Sequence, residues 1–533
     1  MPNEITQPVV VLKRSVPIAV LLAVVTFVLF ARSLHYAFLN YDDDLYVSNN
    51  IAVTHGLSVP TIKYAITKGD NGTWAPLTWL SYELDTTLFG VEPSSYRLTN
   101  IALHALTGAV LFLALRLLLN SVSTSFIIAA LFLFHPLRTE SVVWISERKD
   151  VLFGFFWVLG MLAYWFYAQR PNFVRWLLVV LCFVCGCLSK MMMVTFPFAL
   201  LLLDIWPMNR LNLESRTPGD LWKLIREKLP MMLLCVPVIL LNTLKLNARG
   251  ILNPENAGLL TKALRVPVNY CFYLEKTFLP THLSILYPIS HVTITMTVVS
   301  SLLLLVITVA AIRQLRKAPW FFVGWFWFLG TLVPVIGFVT FGFFYVGDRY
   351  TYIPSIGLAI VVVLGLERLL KRFPMAYCGV ALALIASCIL TLQADLPRWK
   401  DSYTLFNSAL NVGPHYVAFN NRGEALLNQQ EFLRAISDFD TAIRMDPDYA
   451  DAYNNRGTAK VDLQRFQEAL EDYNHSITLS SNTAVYYNNR AAAYYFLQQY
   501  SLAKQDIDTC RRLGMEPHPG LPEAVDAAMK AAP

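Results

Sequence analysis

Charge is scarce in this chain of 533 residues: Asp, Glu, Lys and Arg make up 15% of it, while hydrophobic residues reach 55%. Ordinary soluble domains carry about a quarter charged residues, so this composition excludes a disordered chain and fits a soluble globular protein poorly. A large excess of one sign is missing too, because the formal charge is only +6, which argues against a nucleic-acid module. What matters instead is where the Lys and Arg sit, since a bilayer sorts basic loops to its cytoplasmic side. Cysteines with an obvious partner are also lacking. Cys182, Cys185, Cys187, Cys235, Cys378 and Cys388 lie in apolar runs, and Cys271 and Cys510 stand apart, so a disulfide scaffold is excluded. The Cys182/Cys185/Cys187 cluster has metal-like spacing but no nearby His, and it reads as helix packing.

Long apolar runs are abundant. Windows of about 18 to 20 apolar residues mark membrane spans, and they fall near residues 15–32, 99–118, 124–135, 150–168, 174–189, 191–206, 229–244, 293–312, 319–341, 351–367 and 375–393. The expected fold is therefore all-α, with about eleven transmembrane helices. The first run follows Lys13-Arg14 without a small-residue cleavage site and reads as a retained anchor. Basic groups at Lys13/Arg14, Arg170/Arg175, Arg210/Arg216/Lys223/Arg226/Lys228, Arg313/Arg316/Lys317 and Arg368/Lys371/Arg372 share one side if every run crosses once, and that side is assigned to the cytoplasm. The segments 33–98, 136–149 and 245–292 and the C-terminus after residue 394 then lie outside.

Beyond Trp399 a self-similar pattern replaces the apolar runs. Asn421, Asn455 and Asn489 are spaced by 34 residues, as are Arg422, Arg456 and Arg490, then Phe432, Phe466 and Tyr500, then Ala435, Ala469 and Ala503. A period of 34 is that of tetratricopeptide (TPR) helix pairs. The expected domains are a membrane domain over 1–394 and a short α-solenoid over 395–533, with a partial repeat at 399–414 and repeats at about 415–450, 451–484 and 485–518. Asn420, Asn454 and Asn488 recur at the same offset and offer either a peptide-binding face or helix-solvating side chains.

Polar residues beside spans carry the chemistry, because ionisable groups near hydrocarbon are costly to keep there. Asn40-Tyr41-Asp42-Asp43-Asp44 directly follows the first span. Three adjacent carboxylates repel, so one of them is expected to titrate high enough to accept a proton from a hydroxyl; a helix cap or a divalent-cation site are the alternatives. His135-Pro136-Leu137-Arg138, Glu140 and Glu147-Arg148-Lys149-Asp150 follow the third span. Arg148 and Lys149 suit a phosphate or an internal ion network. Lys190 and Asp348-Arg349 add charge on the same outer side. His104, inside the second span, is a packing residue or a supporting polar group. Trp74, with Trp79 and Tyr82, suits either the membrane interface or sugar stacking. Asn71-Gly72-Thr73 and Asn474-His475-Ser476 match the N-glycosylation pattern.

The ordered elements Phe38-Leu39-Asn40-Tyr41-Asp42-Asp43, Trp74-Ala75-Pro76-Leu77-Thr78-Trp79, His135-Pro136 through Glu140-Ser141-Val142, Glu147-Arg148-Lys149-Asp150-Val151-Leu152, Ser189-Lys190 and Asp348-Arg349-Tyr350-Thr351-Tyr352-Ile353-Pro354 resemble bacterial membrane-anchored TPR proteins. These in turn are similar to the transmembrane and TPR-repeat O-mannosyltransferases of animals. The resemblance implies a GT-C glycosyltransferase fold and a polyprenyl- or dolichyl-phosphate sugar donor. It places the catalytic acid pair on Asp42 and Asp43. Charge and sidedness then suggest Arg148, Lys149, Lys190 and Arg349 for the donor phosphate, with Glu140, Glu147, Asp348 and His104 in support. Trp74, Asn420, Asn454 and Asn488 are the expected acceptor contacts. Nothing in the sequence requires a metal or another cofactor, and no nucleic-acid partner is expected. The expected activity is transfer of mannose or a similar sugar to a protein hydroxyl, in a bacterial inner membrane rather than an endoplasmic reticulum, with the N-terminus cytoplasmic and the repeats outside. The alternative is a non-catalytic membrane-anchored TPR scaffold for envelope or polysaccharide assembly. A transporter would need paired halves with broken spans, and no such symmetry is visible.

Overall fold

A computed structural model describes residues 8–67, 74–211, 218–248, 258–288, 292–338 and 345–531. Arg216 and the Asn71-Gly72-Thr73 sequon lie outside these residues. The described chain is helical throughout, without a strand. It divides into two units, one of Met1–Ile285 with Ile289–Asp401 and the other of Ser402–Pro533 with Leu286–Pro288.

The first unit is built from α1 (Pro8–Phe30), α2 (Ile51–Thr54), α3 (Val59–Thr67), α4 (Pro76–Phe89), α5 (Pro93–Leu119), α6 (Val122–Phe134), α7 (Arg138–Val143), α8 (Arg148–Gln169), α9 (Phe173–Ser189), α10 (Phe196–Ile205), α11 (Pro218–Ala248), α12 (Leu259–Phe278), α13 (Ile294–Gln314), α14 (Pro319–Leu332), α15 (Pro354–Leu369) and α16 (Pro374–Asp395). Local signals place many of these boundaries. Proline opens α4, α5, α14, α15 and α16, where its missing N–H costs nothing. Asn172 caps α9 by accepting from Arg175 N at 2.9 Å, and Thr293 caps α13 by accepting from Met296 N at 3.2 Å.

Among the described residues the apolar runs read from the sequence fall mainly on helix, the run 319–341 being helical over Pro319–Val335 with 339–341 outside the described residues, and the protein is a multi-pass membrane protein. By length and apolar composition, six described helical segments qualify as spans: Pro8–His35, Pro93–Leu119, Ile145–Gln169, Gly219–Asn247, Ile294–Gln314 and Pro374–Trp399. Val122–Phe134, Phe173–Ser189, Met191–Ile205 and Pro319–Val335 are apolar but shorter, so length and composition alone assign six of the eleven expected crossings. The lipid-facing surfaces are apolar, as α9 shows with Phe173, Val174, Leu177, Leu178 and Leu181 exposed. Segment 245–292, read as an outer loop, contains the 20-residue α12. Lys262, Arg265 and Glu275 interrupt its apolar window and hid it from a hydropathy reading. Between α14 and α15 the backbones nearly touch: a Cβ on Gly324 would meet Gly357 O at 2.5 Å, the small-residue contact that lets apolar helices approach without a hydrophobic driving force.

Where α8 ends, a buried network ties α8, α10 and α11 together. Lys228 Nζ donates to Asp204 Oδ2 and Tyr164 Oη, both at 2.6 Å, and Arg210 reaches Asp204 Oδ1 at 3.0 Å and Glu227 at 3.0 Å. The Lys228 and Asp204 side chains are 0% and 1% exposed. Removing Lys228 takes away the buried cation of Asp204 and leaves it only the partly exposed Arg210, at a cost of up to about 3 kcal/mol. Lys228→Met is therefore expected to lower the thermal unfolding midpoint in detergent. Lys228→Met with Asp204→Leu should recover much of it; equal midpoints for wild type and Lys228→Met would refute this role.

The second unit continues with α17 (Ser402–Val412), α18 (Tyr416–Asn428), α19 (Phe432–Met445), α20 (Ala450–Asp462), α21 (Phe466–Leu479), α22 (Ala484–Phe496), α23 (Tyr500–Arg512) and α24 (Leu521–Ala531). The 34-residue period has a packing cause. Gly423 and Gly457 face the rings of Phe439 and Tyr473, which a Cβ would meet at 2.7 and 2.8 Å. Arg422, Arg456 and Arg490 each fork onto an aspartate sixteen residues on, at Asp438, Asp472 and Asp506, so each helix pair is closed by a bidentate bond. The Asn474-His475-Ser476 sequon lies within α21, and Asn474 Oδ1 accepts from Arg490 at 2.8 Å.

Candidate functional site

The acid segment leaves α1 and is pinned at both sides of Asp43. Arg97, at the start of α5, is fully buried and donates to the carbonyls of Tyr36, Ala37 and Val143. Asp43 is itself fully buried and accepts from Leu39 N at 3.1 Å, Ser146 N at 3.0 Å and Ser146 Oγ at 2.7 Å. Burial pushes its carboxyl up to about 6 against the pull of these bonds and of Arg97. Asp43 thus fastens the loop to the turn that opens α8.

Asp42 is different. It is half-buried, its backbone carbonyl accepts from Tyr46 N at 2.7 Å while its carboxylate accepts no hydrogen bond from a described residue, and it holds a left-handed backbone with φ 63°, a conformation that costs a non-glycine residue energy and concentrates at functional positions. Burial raises its carboxyl above the ordinary value; Lys149 and Arg349 pull it down, and Glu147 and Asp44 push it further up. Its neighbour Tyr41 stacks on Trp144 at 5.3 Å, the Trp144 indole N–H donates to Tyr41 O at 2.9 Å, and the Arg349 guanidinium lies 5.6 Å from the Trp144 ring.

Lys149 and Arg349 act on Asp42, and with Lys190 they converge on one buried carboxylate. Glu147, 2% exposed at the side chain, receives Lys149 and Lys190 at 3.3 Å each and Arg349 Nε at 3.3 Å. Lys190 also bonds Asp150, and Arg349 bonds Glu140. The Lys149 and Lys190 side chains keep 15% and 11% of their surface exposed against 5% for Arg349, so the lysines form the open side of the cluster. The sequence-expected Lys149, Lys190, Arg349, Glu140 and Glu147 are thus brought together, although Arg349 and Glu140 lie 209 residues apart. Asp348 is buried next to them, with Arg398 at 4.0 Å.

Other sequence-expected residues are placed elsewhere. Arg148 points away from Lys149, is fully buried, and bonds Asn100, Asp85 Oδ2 and Tyr96 O at 2.7 Å, and Ser81 at 3.3 Å; it joins α4 and α5 to α8. His104 Nε2–H donates to Leu133 O at 3.1 Å, which leaves Nδ1 to accept from Tyr352 Oη at 2.8 Å, a packing role. The Trp74 indole donates to Ile66 O and its backbone N–H to Asn242 Oδ1, both at 3.0 Å. Asn420, Asn454 and Asn488 are buried. Asn420 and Asn454 build an inter-repeat ladder in which Asn455 donates to Asn420 at 3.1 Å and Asn489 to Asn454 at 3.0 Å, and Asn488 Oδ1 accepts from His518 N at 2.9 Å. Reading the sequence missed Arg97 and Ser146, which hold the acid segment; Arg97 alone left a signal, a cation at the mouth of a span.

Glu83 on α4 is fully buried with the Thr61 hydroxyl as polar neighbour, and burial raises its carboxyl to about 7. The folded protein therefore holds this proton more tightly than the unfolded chain, whose value is the ordinary 4.5. Its contribution to stability is complete below that value and is lost as pH rises toward 7. Glu83→Gln is expected to flatten the fall of the thermal midpoint between pH 5 and pH 8; an unchanged slope would refute the assignment.

Compared with known proteins, residues 75–240 match the family model for dolichyl-phosphate-mannose-protein mannosyltransferase, and residues 416–449 and 450–483 match a tetratricopeptide-repeat model. Protein O-mannosyl-transferase TMTC3 of Mus musculus is 24% identical over 432 residues, covering 70% of this chain and 45% of that protein. Protein O-mannosyl-transferase TMTC2 of Homo sapiens is 29% identical over 155 residues, 28% of this chain and 18% of that protein. The chain thus spans less than half the length of these relatives. Among solved structures, the TPR2AB-domain:pHSP90-complex of yeast Sti1 aligns with 43% of this chain and 96% of that one at 13% identity and a TM-score of 0.18, too loose a superposition to inform the fold.

Proposed function

We propose that this protein is a membrane glycosyltransferase that moves a sugar, mannose or one similar to it, from a polyprenyl- or dolichyl-phosphate donor to a hydroxyl of a polypeptide. The observation that carries the reading is the partly buried Asp42 carboxylate beside Lys149 and Arg349, two of the three cations gathered on Glu147. Asp42 takes the proton of the acceptor hydroxyl as its oxygen attacks the anomeric carbon. The bond from that carbon to the donor's phosphate oxygen breaks, its electron pair leaves with the lipid phosphate, and the configuration inverts. Lys149, Lys190 and Arg349 stabilise the charge left on the phosphate. Glu140 and Glu147 position these cations and Asp43 positions the loop. Arg148 drops out of the donor contacts because its guanidinium is engaged with Asp85, Asn100 and Tyr96.

The match to the dolichyl-phosphate-mannose-protein mannosyltransferase model and the likeness to protein O-mannosyl-transferases support this donor and acceptor class. The repeats serve as the polypeptide-binding part, by surfaces other than the buried Asn420, Asn454 and Asn488. The basic loops support a cytoplasmic N-terminus and extracytoplasmic repeats, in a bacterial inner membrane. The test is transfer of labelled sugar from a polyprenyl-phosphate donor into protein by proteoliposomes holding wild type or Asp42→Asn. Equal transfer by the two would leave the scaffold reading in place.

A further inference from the structure

The turn that follows Asp42 has a buried face and an exposed one. Asn49 N donates to Asp44 O, five residues back, at 2.8 Å, so residues 44–48 form a turn of π-helix, an element that is rare and frequent at functional positions. Tyr46 and Val47 point inward, 6% and 0% exposed, and the Tyr46 ring lies 5.0 Å from the Lys149 ammonium. Leu45 points outward at 53% exposure, and Asn49 is exposed one turn further on. Lys149 therefore stands on the buried face of the turn, and Asp42 heads it.

Against the exposed face lies an open cleft of about 680 Å³, within the size range of ligand sites. Its walls are Leu45 and Asn49 of the turn, Ile51 and His55 at the two ends of α2, and Pro60 and Tyr64 of α3. Local bonds hold these walls in place. Asn50 caps α2 by accepting from Ala52 N at 3.1 Å and Val53 N at 3.3 Å, and the Thr61 hydroxyl of α3 donates to Gly56 O at 2.8 Å. Gly56, with φ 69°, reverses the chain between the two helices at a point where a Cβ would meet Thr87 Oγ1 at 2.6 Å.

The lining carries no Asp, Glu, Lys or Arg, so the cleft suits neither a phosphate nor an anionic headgroup, which cationic side chains would hold. It does carry neutral hydrogen-bonding groups. His55 Nδ1–H donates to Ile51 O at 2.7 Å, which leaves Nε2 of the neutral ring as an acceptor for a hydroxyl. The Asn49 carboxamide both donates and accepts, as a peptide group does. Leu45, Ile51 and Pro60 add apolar surface between them. Apolar walls with a few placed polar groups fix the orientation of an uncharged ligand.

We propose that this cleft is the acceptor subsite. It seats an extended, uncharged polypeptide segment rich in serine or threonine, so that one hydroxyl comes over the head of the turn to Asp42 while the donor phosphate meets the lysines from the buried face. The occupant is the segment to be modified, as distinct from the stretch held by the repeats. The inference rests on the transferase reading for its chemistry and on the cleft itself for its location.

The test uses the full chain in proteoliposomes with a polyprenyl-phosphate sugar donor and a short, neutral synthetic peptide bearing serine and threonine. Ala52→Trp sets an indole into the cleft, which Ala52 lines from α2. It is expected to raise the peptide KM about tenfold or more and to leave the donor KM and the thermal midpoint near wild type. An unchanged peptide KM would overturn the proposal. A second measurement places the photo-crosslinker benzoylphenylalanine at Leu45, with Ile66, exposed on α3 outside the cleft, as the comparison position. Leu45 is expected to capture labelled peptide in a yield that excess unlabelled peptide lowers about tenfold. Adducts with phospholipid or a second copy of the chain in place of the peptide, or a yield no higher than at Ile66, would count equally against it. Crosslinking needs no turnover, so a wild type that captures the peptide at Leu45 yet transfers no sugar would sink the transferase reading and uphold the cleft.

Discussion

Asp42→Asn is expected to reduce sugar transfer by about 10²–10⁴-fold, the span that loss of a positioned general base produces, while leaving donor binding and thermal stability close to wild type. The asymmetry comes from what each carboxylate touches. The Asp42 carboxylate accepts no hydrogen bond from a described residue and sits partly buried beside Lys149 and Arg349, so an amide in its place removes a proton acceptor and leaves the backbone bond from Tyr46 N intact. Asp43 accepts three hydrogen bonds in a fully buried site. An asparagine there must turn its NH2 toward an N–H or hydroxyl, so Asp43→Asn is expected to cost about 1–3 kcal/mol of stability and to lose transfer through a displaced loop. The pH profile separates the two roles. Asp42 must be ionised to act, and its carboxyl is held above the ordinary value; transfer by wild type should therefore rise with pH through that ionisation, and the residual transfer of Asp42→Asn should lack the acid limb. If Asp43→Asn keeps wild-type stability and Asp42→Asn keeps wild-type rate, the assignment of the base is wrong.

Arg349→Met carries the largest expected loss of stability. Its guanidinium bonds Glu140 and lies 3.3 Å from Glu147, and the two glutamates are 1% and 2% exposed at the side chain. Taking out one partner of a buried ion pair strands the other's charge, at about 3–5 kcal/mol; here Glu140 loses its paired cation, and Glu147 loses one of three. The thermal midpoint should fall sharply. Arg349→Lys should restore little, because a single ammonium cannot span two carboxylates as a planar fork does. Lys149→Met is the contrast: its ammonium keeps 15% of the side-chain surface exposed and pairs with Glu147 alone, while Glu147 retains Lys190 and Arg349. A small change in midpoint is expected there, with weaker binding of the donor phosphate. Stability and phosphate affinity thus part company between the inner and the outer cation. A wild-type midpoint for Arg349→Met would show that the cluster does not hold α7 and the 348–351 turn together.

How far the sequence could be read depended on the range of the interactions involved. The apolar runs and the 34-residue period are local properties, set by spacing along one helix or helix pair, and they surface in the described residues as apolar helices and TPR helix pairs. Even the ion cluster was half legible, because charged residues at the mouths of spans are costly and therefore conspicuous. The short amphipathic α12 escaped because its charges fall inside the window that a hydropathy reading averages.

The sequence alone determined that this is a helical membrane protein with a TPR array, since burial in hydrocarbon and a repeated interhelical contact both impose a period on the chain. It also placed acids and bases near one set of span ends. Only the tertiary structure decided which of two neighbouring aspartates has its carboxylate free of hydrogen bonds from described residues, that Arg148 turns to Asp85 while the adjacent Lys149 turns to Glu147, and that the side-chain oxygens of Asn420 and Asn454 accept from Asn455 and Asn489 of the next repeat. The reason is physical. Successive residues on a helix point about 100° apart, and the partners that satisfy a buried polar group lie 35 to 209 residues away, so side-chain roles are fixed by packing that no local spacing records.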